Sequence, residues 1–329
     1  MDPLTHSLTG LFLGRAGLDR LADRAPWILV LAANAPDIDI VTLAGGQIDY
    51  LNYHRHLTHS LAGMPLVALL PVLAVRLFAG KPFRWLGAYL VSLLAVASHL
   101  LLDYTNVYGI RLLLPFSGRW FRLDITSVVD LWIWAVLLAA LAGPALVRLV
   151  NAEIGARTKY AGRGFAIFAL VFLLVYNAGR AVLHSRAVAT LESRIYDGAA
   201  PQRVAALPSP ANPLAWRGLV ETADSYIVEN LNMLNEFDPS RGAVFYKAEP
   251  SPAVQAANAT PDFRDFFRFS QFPLEISMPL ADPEGATRVQ AMDMRFGTPQ
   301  RPAFVATAII GSRAQVVRSW FNYGAVRPR

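Results

Sequence analysis

Four segments of this chain, residues 61–79, 85–103, 128–147 and 165–183, are nearly unbroken runs of apolar side chains. Each approaches the roughly 20 residues that a helix needs to cross about 30 Å of hydrocarbon. Four buried helices of a large soluble protein would be the competing explanation, and the number and closeness of the runs count against it. Composition agrees: 54% of the 329 residues are hydrophobic and 16% are charged, where soluble proteins carry about a quarter charged residues. Disorder is excluded, and a polytopic α-helical membrane domain is expected.

Two shorter apolar stretches, 4–18 and 26–35, lie upstream, separated by Asp19, Arg20, Asp23 and Arg24. They are short for spans and are expected to form a helical hairpin, re-entrant or tilted, packed against the four-span bundle. Met1 to His6 contains no Lys or Arg and carries Asp2, so a cleavable signal peptide is not expected. After about Leu183 the texture changes. Charges become evenly spaced, and Pro201, Pro208, Pro210 and Pro213 punctuate a linker-like stretch. Segments 214–222, 225–231, 243–247, 274–278, 287–296 and 303–309 read as strands, with a helical insertion near 252–269. The expected organisation is therefore a membrane domain over 1–184 and a soluble α+β domain over 185–329.

The formal charge of +6 divides unevenly. Residues 1–184 hold 15 Lys+Arg against 10 Asp+Glu, and the remainder 15 against 14. In the first part the positive charge sits between apolar runs, as topology determinants do, and no basic stripe with interleaved aromatics points to nucleic acid. Arg148, Arg157, Lys159 and Arg163 place one connection inside, and Arg76, Lys81 and Arg84 place the turn two spans earlier inside as well. The connection 104–127 then falls outside despite Arg111, Arg119 and Arg122, and so does the C-terminal domain. Trp85 and the Trp132-Ile133-Trp134 cluster are expected as interfacial anchors.

With no cysteine in the chain, a metal must be held by histidine nitrogen and carboxylate oxygen. Five of the six histidines, His6, His54, His56, His59 and His99, fall in the first 99 residues, alongside Asp37, Asp39 and Asp103. His99 and Asp103 stand four apart on one helix face, able to grip one ion or to pair as ligand and orienting carboxylate. Asp37 and Asp39 follow Pro36, which favours a turn where the two carboxylates can converge. In His54-Arg55-His56-Leu57-Thr58-His59-Ser60, Arg55 is suited to a bidentate grip on a phosphate, and Thr58 or Ser60 to capping the helix that follows. Ionisable groups at span ends are costly, so their convergence at the outer level marks a functional site. Such donors fit zinc, manganese or iron, as one ion or as two with a bridging hydroxide. No His-Glu-x-x-His, phosphate-loop or nucleophile-elbow pattern occurs. His184 reads as structural.

The series Thr5-His6-Ser7, Pro36-Asp37-Ile38-Asp39, His54-Arg55-x-x-Thr58-His59-Ser60 and Ser98-His99-x-x-x-Asp103, followed by Gly109 and Pro115, resembles the YdjM-like family of predicted membrane-bound metal-dependent hydrolases. The resemblance spans residues 1 to about 130. It implies a bacterial inner-membrane protein with a divalent metal, and metal or catalytic roles for His6, Asp37, Asp39, His54, His59, His99 and Asp103. His56 stands where many relatives have glycine and ranks below its neighbours. The expectation is a hydrolase of esters or phosphoesters of a lipid or envelope substrate: Asp37 or Asp39 as bridge or base, Arg55 holding phosphate, Asp103 binding metal or orienting His99. The alternative is a non-enzymatic, metal-stabilised membrane protein whose outer domain binds a partner or senses the envelope.

Overall fold

The computed structural model describes residues 1–78, 83–154 and 161–325. Ala79, the last residue of the first expected span, and Lys81, Arg157 and Lys159, which help set the expected orientation, lie outside the described residues. The chain forms two compact units: Met1–Asp39, Arg55–Arg186 and Leu207–Trp216 make the first, and Ile40–His54, Ala187–Ala206 and Arg217–Arg329 the second.

The first unit opens with α1 (Pro3–Ala16), capped by Asp2, whose carboxylate accepts from the Thr5 backbone N–H at 3.0 Å. Helix α2 (Ala25–Ala32) lies so close to α1 that a Cβ on Gly10 would sit 2.6 Å from the Leu29 carbonyl oxygen. This pair is the hairpin expected from the two short apolar stretches. A bent stretch follows: a 3-10 segment (Ala35–Gly45), α3 (Gln47–Tyr53) and a 3-10 turn (Leu57–His59).

The first expected span, 61–79, is not one continuous helix. It breaks into α4 (Met64–Val67) and α5 (Leu69–Phe78), with Pro65 and Pro71 each removing a backbone donor. At about 1.5 Å rise per residue, ten residues of α5 cover only about half the hydrocarbon thickness. Three helices remain that are long and apolar enough to cross a membrane, α6 (Trp85–Thr105), α7 (Leu131–Glu153) and the greater part of α8 (Ala161–Glu192), or up to five spans if each of two bent helix pairs counts as one. Helix α8 runs past residue 184 to Glu192, so the change of texture near Leu183 marks a loss of apolarity inside a helix rather than its end.

Two apolar clusters hold these helices. Ala25, Ala32, Ala68, Ala88 and Ala95 let α2 approach α5 and α6 closely, around Ile28, Leu29, Val72 and Val91. Leu8 and Phe12 of α1 pack with Leu102, Ile133, Leu137, Ala169 and Leu173. Leu86, Leu149, Phe168 and Leu174 stay exposed on the long helices, as lipid-facing side chains do. The proline-rich stretch is a strap on this unit. Pro208 O accepts from Ser127 Oγ at 3.0 Å, Pro210 O from Leu131 N at 3.0 Å, and Ala211 O from the expected anchor Trp132 through Nε1 at 3.0 Å. Buried Arg180 donates to Ile125 O at 2.8 Å and to Pro213 O, and stacks over Trp216.

The second unit carries two four-stranded antiparallel sheets: β1 (Arg203–Pro208), β2 (Ala215–Glu221), β3 (Ser225–Asn232) and β4 (Ala243–Tyr246) in that order, then β5 (Pro273–Pro279), β6 (Thr287–Asp293), β7 (Ala303–Ile310) and β8 (Val316–Ala325). Strands β1 and β8 go beyond the six expected. Helices α9 (Pro252–Asn258) and α10 (Pro261–Phe269) fill the expected insertion, and Phe263, Phe266 and Phe269, three apart on α10, are buried. Residues 40–54 fold with this unit: Gln47 Oε1 accepts from Tyr323 N at 2.6 Å, and Asn52 Nδ2 donates to Asp265 at 3.0 Å.

On β3, Glu229 is 2% exposed. Burial, with Asp238 facing it, pushes its carboxyl up to about 7 against the opposing amide of Gly242. The native state therefore binds more protons than the unfolded chain between the ordinary 4.5 and about 7. Stability should fall as pH rises through that window and level off above it. Glu229→Gln should flatten the profile and gain about 1–2 kcal/mol at pH 8, measurable by urea denaturation. Gly10→Val should force α1 from α2 and cost about 1–3 kcal/mol, read as a lower melting temperature.

Candidate metal centre

Four donor groups from three segments of the first unit converge. His99 and Asp103 project from the last two turns of α6, four apart and therefore on one face, with Nε2 and Oδ2 3.5 Å apart. His59 comes from the 3-10 turn, its Nε2 3.4 Å from Asp103 Oδ2 and 3.1 Å from His99 Nε2. Asp37 completes the set, its Oδ1 3.5 Å from His59 Nε2 and 3.6 Å from His99 Nε2. The four donor atoms all lie within 4.8 Å of one another.

These separations test whether a metal fits. A tetrahedral ion with ligand bonds of about 2.0–2.1 Å requires donors about 3.3 Å apart; the five measured edges run from 3.1 to 3.6 Å. Both imidazoles present Nε2 to the common point, because each Nδ1 is occupied elsewhere. That of His99 meets the Ala33 carbonyl at 2.7 Å, and that of His59 meets Thr58 Oγ1 at 3.0 Å with Asp39 Oδ2 at 3.3 Å. Such outer partners set tautomer and ring orientation. Asp103 Oδ2 is buried without a hydrogen-bond partner among the described residues and faces the same point. The residues present fit a divalent ion.

Asp37 and Asp39 do not bind side by side. They straddle the His59 ring, one at Nε2 and the other at Nδ1, since alternate residues of the 3-10 segment diverge. Asp39 also accepts from Arg55 N at 2.8 Å and from Thr58 Oγ1 at 3.1 Å. Arg55 is buried and holds a left-handed backbone with φ of 54°, a conformation that surrounding contacts must maintain. Its guanidinium donates to Asp103 Oδ1 at 3.1 Å, to Asn106 Oδ1 at 3.2 Å and to the Gly109 carbonyl at 3.0 Å. The expected phosphate-gripping side chain is thus engaged within the protein, on the oxygen of Asp103 that faces away from the other donors. The Met1 amino group pairs with that same oxygen.

The remaining expected ligands stand apart from the set of four. His6 of α1 is fully buried, stacks on His99 with ring centroids 3.7 Å apart, and has its Nε2 3.4 Å from Asp103 Oδ1; neither ring nitrogen has a hydrogen-bond partner among the described residues. His54 ends α3 and stacks on Tyr50 at 4.6 Å. His56 precedes the 3-10 turn. Of the two expected capping residues, Ser60 accepts from Gly63 N at 2.9 Å, whereas Thr58 turns to His59 and Asp39. Asn106 was not singled out from sequence, although it caps α6 three residues after Asp103 and binds both Asp103 and Arg55.

If Asp39 and Thr58 orient His59, Asp39→Asn and Thr58→Val should each weaken metal affinity by about 10–100-fold, whereas His54→Ala should leave it nearly unchanged. Competition against a chromogenic chelator measures all three.

The profile of the YdjM inner membrane protein family matches residues 1–187. A similar protein is YfhP of Bacillus subtilis (strain 168), described only as an uncharacterized protein, 29% identical over 240 residues that cover 69% of this chain and 67% of YfhP. No solved structure matches the chain.

Proposed function

The chain belongs to the YdjM inner membrane protein family, and from that premise we propose that it is a membrane-embedded hydrolase working at a metal held by Asp37, His59, His99 and Asp103. The substrate class is an ester or phosphoester of a lipid or envelope molecule, and zinc is the first choice of ion, with manganese and iron next. One observation carries the proposal: His59, His99 and Asp103 are buried, whereas the Asp37 side chain is 27% exposed, which leaves the donor set open on one side.

A divalent ion bound there would supply Lewis acidity toward water and toward a carbonyl or phosphoryl oxygen. The chain's own groups do the rest. Asp37, at the open side, holds the ion and orients a substrate hydroxyl or water. His6, which stacks on His99 and whose ring nitrogens make no hydrogen bond among the described residues, is the group we assign to take a proton. Arg55 fixes Asp103, and Asp39 with Thr58 fixes His59, so neither donor must reorganise during reaction. The positive charge at 76–84 and 148–163 supports an outward-facing centre and an extracytoplasmic second unit, against Arg111, Arg119 and Arg122.

One observation favours a second reading. Four protein donors close a tetrahedral shell, as in structural sites, which suits a metal-stabilised membrane protein without activity. Metal content of the purified chain, hydrolysis of p-nitrophenyl acetate, bis(p-nitrophenyl) phosphate and phospholipid vesicles, and exchangeable water on a manganese-loaded sample separate the two. The hydrolase expectation is one ion per chain, metal-dependent turnover, and a loss of about 100-fold or more in Asp37→Ala. A metal-loaded protein without turnover and without exchangeable water overturns it in favour of the closed site.

A further inference from the structure

A cavity of about 700 Å³ opens in the second unit, lined by Arg194, Glu229, Asn230, Asn235, Phe237 and Arg241 among others. Its size falls within the roughly 300–1,000 Å³ of small-molecule sites. One wall is β3, which contributes Glu229 and Asn230; another is the 3-10 turn Pro239–Arg241.

Most polar groups here have partners within the protein. Asp238 accepts from Ser240 N at 3.0 Å and from Arg241 Nε at 3.2 Å, and Asn232 Oδ1 accepts from Leu234 N at 3.1 Å. Glu229 differs. It is 2% exposed, and its Oε1 has no hydrogen-bond partner among the described residues. A buried carboxylate oxygen left unmatched is expensive, and this one belongs to a residue lining an open cavity, so the missing donor can arrive with a ligand.

The walls limit what that ligand can be. The Asp and Glu side chains here do not form a metal set: among the described residues, the converging group of His and Asp donors is the one on the first unit. An anion would face Glu229, Glu236 and Asp238, and a cation would face Arg194 and Arg241. A neutral polyhydroxylated molecule meets neither objection. Each hydroxyl both donates and accepts, so it can serve Glu229 Oε1 while taking a bond from a guanidinium or an asparagine amide. Phe237 also lines the cavity, and an aromatic ring can offer a flat apolar face to the C–H groups of a sugar. We propose that this cavity is a saccharide-binding site, with Glu229 as the buried acceptor for a sugar hydroxyl and Phe237 as the stacking surface.

The test uses the full chain in lipid nanodiscs, because sugar-headed detergents would compete. Saturation-transfer NMR and calorimetry at pH 8 are run with glucose, N-acetylglucosamine and their linear trisaccharides, and in parallel with calcium, spermidine and inorganic phosphate. At least one saccharide should bind saturably. Glu229→Gln preserves shape but exchanges a charged acceptor for a neutral amide, so binding should weaken by about tenfold. Phe237→Ala should weaken it independently while circular dichroism stays native. The proposal is overturned by no saturable saccharide binding up to about 20 mM, by binding that both variants leave unchanged, or by saturable binding of calcium, spermidine or phosphate in place of every sugar.

Discussion

Two carboxylates and two imidazoles are brought together where an apolar bundle removes most of their water, and this one expense organises the first unit. Charge of one sign in such a place must be met by charge of the other. Arg55 meets part of it at Asp103 Oδ1, and the opposite face of the set has the dimensions of a divalent ion. Much of the surrounding architecture then follows. Helix α6 carries two donors because four residues return a side chain to the same face. The 3-10 segment after α2 presents Asp37 and Asp39 to opposite sides of one ring, and Arg55 accepts a left-handed backbone to bring its guanidinium inward.

The layers around the donors are built mainly from side chains that bind no ion. Thr58, Asp39 and the Ala33 carbonyl hold the Nδ1 atoms, while Asn106 ties Asp103 and Arg55 to the end of α6. Close approach of α1 to α2 at Gly10 and the alanine-lined contact of α2 with α6 keep that frame rigid. A set of donors placed by short, packed elements is preorganised for its ligand, at the cost of strained or constrained backbone nearby.

Several of these features were legible in sequence because they rest on local periodicity. The 99/103 pair needs only the helical repeat, and the six recognised strands show the apolar bias of half-buried sheet. Others depend on partners far along the chain. Pro65 and Pro71 lie inside an apolar run whose composition conceals the break they make. Strand β1 is hidden by flanking prolines, and β8, which buries only Phe321, lacks a buried alternation to reveal it. Arg55 looked available to substrate because it sits in a polar loop; only the fold shows that Asp103, Asn106 and Gly109 engage it.

Residues 40–54 leave the first unit immediately after Asp39 and re-enter it at Arg55, having folded with the second. The family profile, which ends at residue 187, includes this excursion, yet its partners, the Asp265 carboxylate and the Tyr323 backbone N–H, lie beyond that limit. In this chain the link between the Asp-x-Asp and His-Arg motifs of the candidate metal centre is held by residues outside the family match, so replacing the C-terminal region would leave Gln47 and Asn52 without the partners that fix this loop.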